Sequence, residues 1–518
     1  MTMKGPVDLD GLTLAGIRSG ALRDRPVTVL GLARSGLALA RFLADAGARV
    51  TVYDGRTAGE LADAVAGLGD RPITLALGPD VDPAATWATA DLVATSPSIT
   101  PDFPTTEPRL RAALRTLVDS RAGGDPETPP LVSEADLFLR LCPAPTIGVT
   151  GTKGKTTTAS LIAAILAADQ HHPAVLGGNM GVPIIERLFE LTPDHRVVDE
   201  LSELQLPTLS RGTTVAVYTN VTADHLDRHP SIEAYRAVKR RLAELVDPDG
   251  ALVLNAEDPV VASYAGLGRA RSIPYRRDRP PAGGLGVVDG WIVADDIERL
   301  PLAGGGLAPT GRAGRIMPVA ELAIPGAHNV SNALAAIAVA LAFGVPPEAI
   351  RRAAAAFTGV EHRLEPVALI DGVRFINDSQ GTQPDAVAAA LRAFDPPIVL
   401  IAGGRDKGID LTALAPVVAE RAAAAVLIGE SGPALERAFR AAGLARTERA
   451  ADLDAAVRRA DTLARRELAS APSGRIATVL LSPAAASFDM FVDYAARGRA
   501  FKAAVERLAA YRRAGGVR

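Results

Sequence analysis

One cysteine, Cys142, stands in 518 residues, so the chain can form no internal disulfide and suits a reducing compartment. No apolar stretch approaches the ~20 residues that a membrane span requires. The first residues carry early acidic side chains without the apolar core of a secretory signal. A net charge of −3 offers no broad cationic surface for nucleic acid. A soluble, cytoplasmic, monomeric protein is expected. Lysine is scarce as well: six (Lys4, Lys153, Lys155, Lys239, Lys407 and Lys502) against 50 arginines. In so Arg-biased a chain, a retained lysine points to a place that guanidinium cannot fill, because lysine can lose its proton or act as a compact point charge. At this length about three domains are expected, each burying its own core.

What the chain does have is concentrated in residues 146–166. Thr146 to Thr150 is a β-branched run that reads as a buried strand. Gly151 and Gly154 permit a tight turn, and from Thr156 apolar residues recur at helical spacing (Leu161, Ile162, Ile165). Strand, glycine loop and helix N-terminus form an anion cradle, where backbone N–H groups converge on phosphate oxygens and the helix dipole adds about half a positive charge. Lys155 has the reach for β- and γ-phosphates, and the Thr156 hydroxyl suits an accompanying Mg²⁺. The glycines stand as G-x-x-G-x-x-G-K-T (Gly148, Gly151, Gly154), since the first glycine of the standard G-x-x-x-x-G-K-[ST] pattern falls on Val149. An ordinary glycine-rich turn is the plainer account. The lysine, the threonine and the strand–helix context favour a nucleoside triphosphate.

Residues 27–54 read as a first β-α-β unit: strand 27–30, turn 31–36, helix 37–46 and strand 49–53, closed by Asp54. The spacing Gly31-x-x-x-x-Gly36 departs from the dinucleotide G-x-G-x-x-G, with Ala33 at the middle glycine. A nucleotide diphosphate cradled by Ser35 and the loop amides is therefore favoured, and an NAD site stays as the alternative. A second strand, 92–95, also ends in a polar loop, and the linker-like run 121–130 puts a domain boundary near 133. Further on come Gly177-Gly-Asn-Met-Gly181, then an apolar run reaching Glu200, placed for a metal-binding carboxylate. Strand 215–218 leads to His225 between Asp224 and Asp227. His225 alone is as consistent with a helix cap as with a ligand, and Glu203 reads as part of a solvated face. Lys239 falls on a helix, 232–246. Residues 276–315, rich in glycine, proline and arginine, read as loops around a hairpin at 286–293. Asn329 and Asn332 share one helix face; N-capping would account for Asn329 only. Beyond residue 360, a strand ending at Asp378 and strands 397–402, 424–429 and 477–481 alternate with helices, which predicts a parallel, doubly wound sheet. Asp378, Thr382, Lys407 and Ser487 lie at the strand ends where such sheets collect ligands. A surface salt bridge is the plainer account of Lys407.

Taken in order, residues 148–157, 178–181, 200–205, 220–228, 328–332, 362–363, 377–379, 403–407 and 481–487 resemble the motifs of the Mur ligase family, ATP-dependent enzymes that form amide bonds in peptidoglycan precursor synthesis. The resemblance covers nearly the whole chain and is nearest to the glutamate-adding branch. It implies an α/β fold of three domains: a Rossmann-like UDP-binding domain at 1–133, a P-loop ATP-binding domain at 134–359 and a Rossmann-like amino-acid-binding domain at 360–518. By the same resemblance, ATP would contact Gly151, Thr152, Lys153, Gly154, Lys155, Thr156, Thr157, Asn329, Asn332, Arg363 and Asp378. The UDP-sugar would meet Arg34, Ser35, Arg56 and Asn179, and glutamate would meet Gln380, Thr382, Lys407, Ser487, Phe488 and Tyr494. Mg²⁺ would rest on Thr156, Glu200, His225 and Lys239, the last carbamylated; Lys155, Glu200, His225 and Lys239 would form the catalytic set. The implied acceptor is UDP-N-acetylmuramoyl-L-alanine, whose carboxylate takes the γ-phosphoryl group before the glutamate amine attacks, with domain closure assembling the site. Three positions depart from the family pattern: Lys153 where asparagine is frequent, Glu203 where serine is usual, and Gln380 where D-glutamate enzymes usually carry lysine. D-glutamate leads, and addition of L-glutamate to the same acceptor is the alternative. Folylpolyglutamate synthesis, a non-catalytic nucleotide-binding protein and an NAD-dependent oxidoreductase complete the competing readings.

Overall fold

The structure is a computed structural model that describes residues 5–103, 106–180, 183–222, 231–324, 326–405, 411–472, 474–487 and 489–513. The chain divides into two compact units, Met1–Phe357 and Thr358–Arg518.

Among the described residues the first unit holds two sheets. The first is built from β1 (Pro26–Leu30), β2 (Arg49–Asp54), β3 (Thr74–Leu77), β4 (Leu92–Thr95) and β5 (Leu131–Ser133), in the order β3-β2-β1-β4-β5 and all parallel. Order reverses at β1, which opens a crevice beyond its carboxyl end. The helix after β1 spans Arg34–Asp45, three residues earlier than the spacing suggested. Gly36 allows this: a Cβ there would lie 1.8 Å from the Gly31 carbonyl oxygen, so the first helical turn packs directly on the strand end.

The second sheet comprises β6 (Thr146–Thr150), β7 (Ala174–Gly178), β8 (Arg196–Glu200), β9 (Val215–Tyr218), β10 (Ala251–Asn255), β11 (Arg271–Tyr275), β12 (Leu285–Val288), β13 (Trp291–Ala294) and β14 (Arg315–Pro318). Its order is β14-β13-β12-β11-β10-β9-β6-β8-β7. β6 is central and buried along its whole length, which is why it reads as a continuous β-branched run rather than an alternating one. β12 and β13 pair antiparallel, forming the hairpin expected at 286–293, and β14 extends it. The helix Lys155–Leu166 follows β6 and packs beside Ala327–Ala342, a helix so rich in alanine that it is apolar almost all round and wholly buried beyond Asn332. A single apolar cluster joins Val27, Val29 and Phe42 of the first sheet's layer to Phe138, Ile184, Leu188 and Val197 of the second.

In the second unit six strands run in the order β15-β16-β20-β17-β18-β19: β15 (Glu365–Ile370), β16 (Val373–Asn377), β17 (Ile398–Gly403), β18 (Ala422–Ile428), β19 (Thr447–Arg449) and β20 (Ala477–Leu481). All pairs are parallel except β15 with β16, an antiparallel edge that the sequence reading did not contain. The carboxyl ends of β16, β17 and β20 lead into 378–382, 404–405 and 482–487.

Candidate active site

The loop after β6 is pinned from both sides. Gly151 has φ +142° and Gly154 φ +86°, and a Cβ at Gly151 would stand 2.0 Å from Thr219 Oγ1, so the loop can close on the end of β9 only as glycine. Asn220 then clamps it three times: its carbonyl accepts from the Thr152 amide (2.7 Å), its Oδ1 accepts from the Lys153 amide (2.9 Å), and its Nδ2 donates to the Lys153 carbonyl (2.9 Å). Thr219 Oγ1 donates to the same carbonyl at 2.7 Å. Thr152 Oγ1 meets the Tyr235 hydroxyl at 3.0 Å. Lys155, the first residue of the helix, turns its ammonium back to the Thr152 carbonyl at 2.9 Å. Beneath the loop, Lys239 is fully buried and donates to Thr150 Oγ1 (3.2 Å) and the Gly151 carbonyl (3.1 Å). Thr156 is buried at the helix start, and Thr157 is half-buried beside it. The result is a rigid turn with its amides at the positive end of a helix, able to take a polyphosphate.

Asn332 joins this loop from the neighbouring helix. Its Oδ1 accepts from Thr158 Oγ1 at 3.2 Å, its Nδ2 donates to Asn329 Oδ1 at 3.1 Å, and a Cβ on Gly154 would come within 2.6 Å of it. The N-cap of that helix is Gly326, so Asn329 does not cap it and the capping account is withdrawn. A cavity of about 440 Å³ lined by Glu257, Arg277, Asp278, Val287, Val319, Ala327 and Val330 opens on the other face of the same helix, away from the asparagine pair.

Glu200 ends β8 next to β6. Its Oε1 accepts from Asn179 Nδ2 at 3.0 Å, whereas its buried Oε2 has no hydrogen-bond partner among the described residues. An orphaned carboxylate oxygen beside the phosphate loop, with the Thr156 hydroxyl at the helix start, is a donor set that fits a divalent cation. Asn179 is shared: its amide donates to the Glu200 carbonyl (2.8 Å), while its own carbonyl accepts from Arg34 Nη2 at 2.8 Å. Ser35 follows Arg34 in the first helical turn. Arg56 is held by Asp54, through Nη2 to Oδ2 at 2.8 Å and Nε to Oδ1 at 3.0 Å. Burial pushes the Asp54 carboxyl up, but Arg56 and the Leu32 and Arg56 amides outweigh it and hold the group below its ordinary range. Beside Glu200, both oxygens of Asp199 are buried without a hydrogen-bond partner among the described residues; burial, then the nearby Glu134 and Glu200, push that carboxyl far up.

In the second unit, Asp378 follows β16 and accepts from Ser482 Oγ (2.6 Å) and the Leu364 amide (3.2 Å); burial raises its pKa to about 6. Arg363 is exposed and close enough to oppose that rise. The Gln380 amide donates to the His362 carbonyl at 3.0 Å, and the Thr382 amide donates to the Gln380 carbonyl at 2.7 Å. Ser487 is buried, and its carbonyl accepts from the Phe491 amide at 2.8 Å. The Tyr494 carbonyl accepts from Ser379 Oγ at 2.7 Å.

The structure thus brings together Gly151–Thr157, Glu200, Lys239, Asn329 and Asn332 in the first unit, with Arg34 joined to Glu200 through Asn179. Asp378, Gln380, Thr382 and Ser487 follow adjoining strand ends of the second unit, and Tyr494 starts the helix Tyr494–Arg513, its carbonyl bonded to Ser379. His225, Lys407 and Phe488 lie outside the described residues. Glu203 is corrected: it is buried, 5% exposed, in the turn after β8 and on no solvated face. Residues the spacing did not single out include Asn220, Thr219 and Tyr235, the loop's clamp; Asn220 stands directly after a strand end, which is where such a partner would be sought. Asp199 is an acid within an apolar run, a second readable sign.

Residues 149–340 match the Mur ligase middle domain, and residues 362–485 match the Mur ligase glutamate ligase domain. With close relatives along nearly its whole length, the chain belongs to the Mur ligase family, ATP-dependent ligases that form ADP. It is 40% identical to the UDP-N-acetylmuramoylalanine–D-glutamate ligase of Symbiobacterium thermophilum over 96% of this chain and 100% of that protein. The ligase of the same name from Anaeromyxobacter dehalogenans is 40% identical over 93% of this chain and 97% of its own length. Among solved structures, MurF from Acinetobacter baumannii is similar at a TM-score of 0.48, with 16% identity over 91% of this chain and 96% of that one.

Proposed function

We propose that this protein joins glutamate to UDP-N-acetylmuramoyl-L-alanine at the expense of ATP, with D-glutamate as the amino acid, and does so in the cytoplasm as a step of peptidoglycan precursor synthesis. The observation that carries the reading is the phosphate loop clamped by Asn220 and flanked by Glu200 Oε2, which has no hydrogen-bond partner among the described residues, in a chain whose relatives of that name match end to end. On this reading residues 1–133 take the UDP end of the acceptor, 134–359 take ATP and 360–518 take the amino acid.

Two anions must meet when the acceptor carboxylate attacks the γ-phosphorus, and their repulsion is the main electrostatic barrier. The amides of 152–157 and the Lys155 ammonium bind and orient the phosphates, and leave the charge developing on the leaving ADP stabilised at a helix N-terminus. Thr156, Glu200 and Lys239 would hold Mg²⁺, with His225 in the same set. When bound, the ion neutralises phosphate charge and aligns carboxylate with phosphorus. Lys239 joins that set as a carbamate, a role open to an amine that can lose its proton and closed to guanidinium. Arg34 and Asn179 orient the acceptor, and Gln380, Thr382, Ser487 and Tyr494, with Lys407 and Phe488, place glutamate so that its amine attacks the acyl phosphate. Collapse of the tetrahedral intermediate then releases phosphate.

The test is phosphate release from ATP with UDP-N-acetylmuramoyl-L-alanine and D- or L-glutamate in separate reactions. Turnover with D-glutamate alone is expected. Turnover with L-glutamate alone would overturn the stereochemistry and make the neutral Gln380 part of the selectivity. No turnover with either would overturn the acceptor.

A further inference from the structure

Arg497 is among the largest side chains in the chain with almost no exposure, 1%. It rises from the first turns of the helix Tyr494–Arg513 into the region beyond the ends of β16 and β20. Each arm of its guanidinium is used. Nε donates to Ser379 Oγ at 3.0 Å, Nη2 donates to the Ser379 carbonyl at 2.9 Å, and Nη1 donates to the Ala485 carbonyl at 3.1 Å. Ser379 Oγ passes the connection on by donating to the Tyr494 carbonyl at 2.7 Å. β17 closes on the same place: a Cβ on Gly404 would fall 2.1 Å from the Ala486 carbonyl oxygen and 3.2 Å from Arg497 Nη1.

One side chain therefore ties together three stretches that carry the described candidates for the amino acid: 379–382 with Gln380 and Thr382, 485–487 with Ser487, and the helix start with Tyr494. Its partners are a hydroxyl and carbonyls. No carboxylate hydrogen-bonds it among the described residues, and Asp489 acts on it only through space. Burial pulls its pKa down to about 10, which leaves it cationic at neutral pH. A buried cation held by neutral groups projects its field onto what lies beside them, and the described candidates there are themselves neutral. Glutamate brings two carboxylates to such a place.

We infer that Arg497 is a positioning residue for the incoming amino acid: it fixes the three stretches relative to one another and supplies a positive potential to the substrate's carboxylates without touching it. The inference rests on the reading of this unit as the glutamate-binding one. Charged hydrogen bonds of this kind are worth about tenfold to a hundredfold in an equilibrium.

The experiment measures kcat and each KM for wild type, R497K, R497M and S379A, with thermal melting of each. R497M is expected to raise the KM for glutamate about tenfold or more, with the acceptor KM within about threefold. R497K keeps the cation and loses the planar fork, so it should recover part of that loss. S379A removes only the hydroxyl relay and should raise the glutamate KM about threefold. A folded R497M with an unaltered glutamate KM, or a fall in rate that merely follows the folded fraction at constant KM, would overturn the inference. Should R497M fail to fold, an unchanged glutamate KM in S379A and R497K would overturn it instead. If the wild type is silent with glutamate, the functional reading fails and the inference falls with it; an active wild type with indifferent variants sinks the inference alone.

Discussion

Replacing Gly151 by alanine tests the closed phosphate loop at its tightest point. At φ +142° an L-residue is strained, which costs about 1–3 kcal/mol. The new methyl would stand 2.0 Å from Thr219 Oγ1 and 2.9 Å from the Asn220 carbonyl oxygen, so one wall or the other must move. Thr219 can retreat only by giving up its 2.7 Å bond to the Lys153 carbonyl, and Asn220 only by loosening its hold on Thr152 and Lys153. At about 1 kcal/mol for the one bond that Thr219 would lose, the total comes to roughly 2–4 kcal/mol. The chain's two tryptophans, Trp87 and Trp291, both lie in the first unit, so urea denaturation followed by tryptophan fluorescence reports that unit alone. A shift of the loop by about 1 Å should also raise the KM for ATP about a hundredfold. Adding T219A removes the closer contact and leaves the carbonyl, so the double variant should be less destabilised than the sum of the singles by about 1 kcal/mol. If G151A unfolds within about 1 kcal/mol of wild type and keeps its ATP KM, the loop is not closed as described.

Three further outcomes follow from the same site. E200Q retains an acceptor for Asn179 but loses the anionic oxygen, so phosphate release should fall about a hundredfold or more at an unchanged melting temperature; a drop of less than about tenfold would remove Glu200 from the cation's ligands. K239R should abolish turnover to a similar degree, and ¹³C-labelled CO₂ should give a carbamate resonance in wild type and none in the variant; an active K239R would rule the carbamate out. Glu134 is buried and its pKa is raised to about 7, by burial first. A carboxyl raised in the folded state contributes stability below its unfolded pKa and loses it as pH climbs through the folded one. The first unit should therefore weaken between about pH 4.5 and 7, on the order of 3 kcal/mol, and E134Q should flatten that fall. Equal slopes in both proteins would show that Glu134 ionises as freely folded as unfolded.

Much of this was legible in residue order because glycine and lysine are informative where they are constrained. Gly151 and Gly154 marked a loop that no other residue could close, and the strand before it announced burial by lacking alternation. The misreadings come from packing contacts that spacing alone does not show. Gly36 looked like the end of a turn, yet the Gly31 carbonyl needs its missing side chain inside a helix. Asn329 looked like a cap, but it pairs with Asn332, which faces the phosphate loop from another segment. Glu203 carries a charge that composition assigns to water, and only the packing after the strand end reveals its burial. Arg497 was not singled out: in a chain with 50 arginines nothing in residue order marks it as enclosed.

Asn179 carries a consequence for the order of events. One residue, exposed at the end of β7, holds the guanidinium of Arg34 with its carbonyl and the carboxylate of Glu200 with its amide. Thermodynamic linkage makes such a connection reciprocal: whatever occupancy at Arg34 does to the affinity at Glu200, occupancy at Glu200 must do to the affinity at Arg34, by the same factor. The factor by which the metal nucleotide changes acceptor affinity should equal the factor by which the acceptor changes metal-nucleotide affinity, and a factor of one would show the two positions uncoupled. Asn179 makes the two contacts with different groups, its backbone carbonyl to Arg34 and its side-chain amide to Glu200, so any coupling between the two positions would run through one residue.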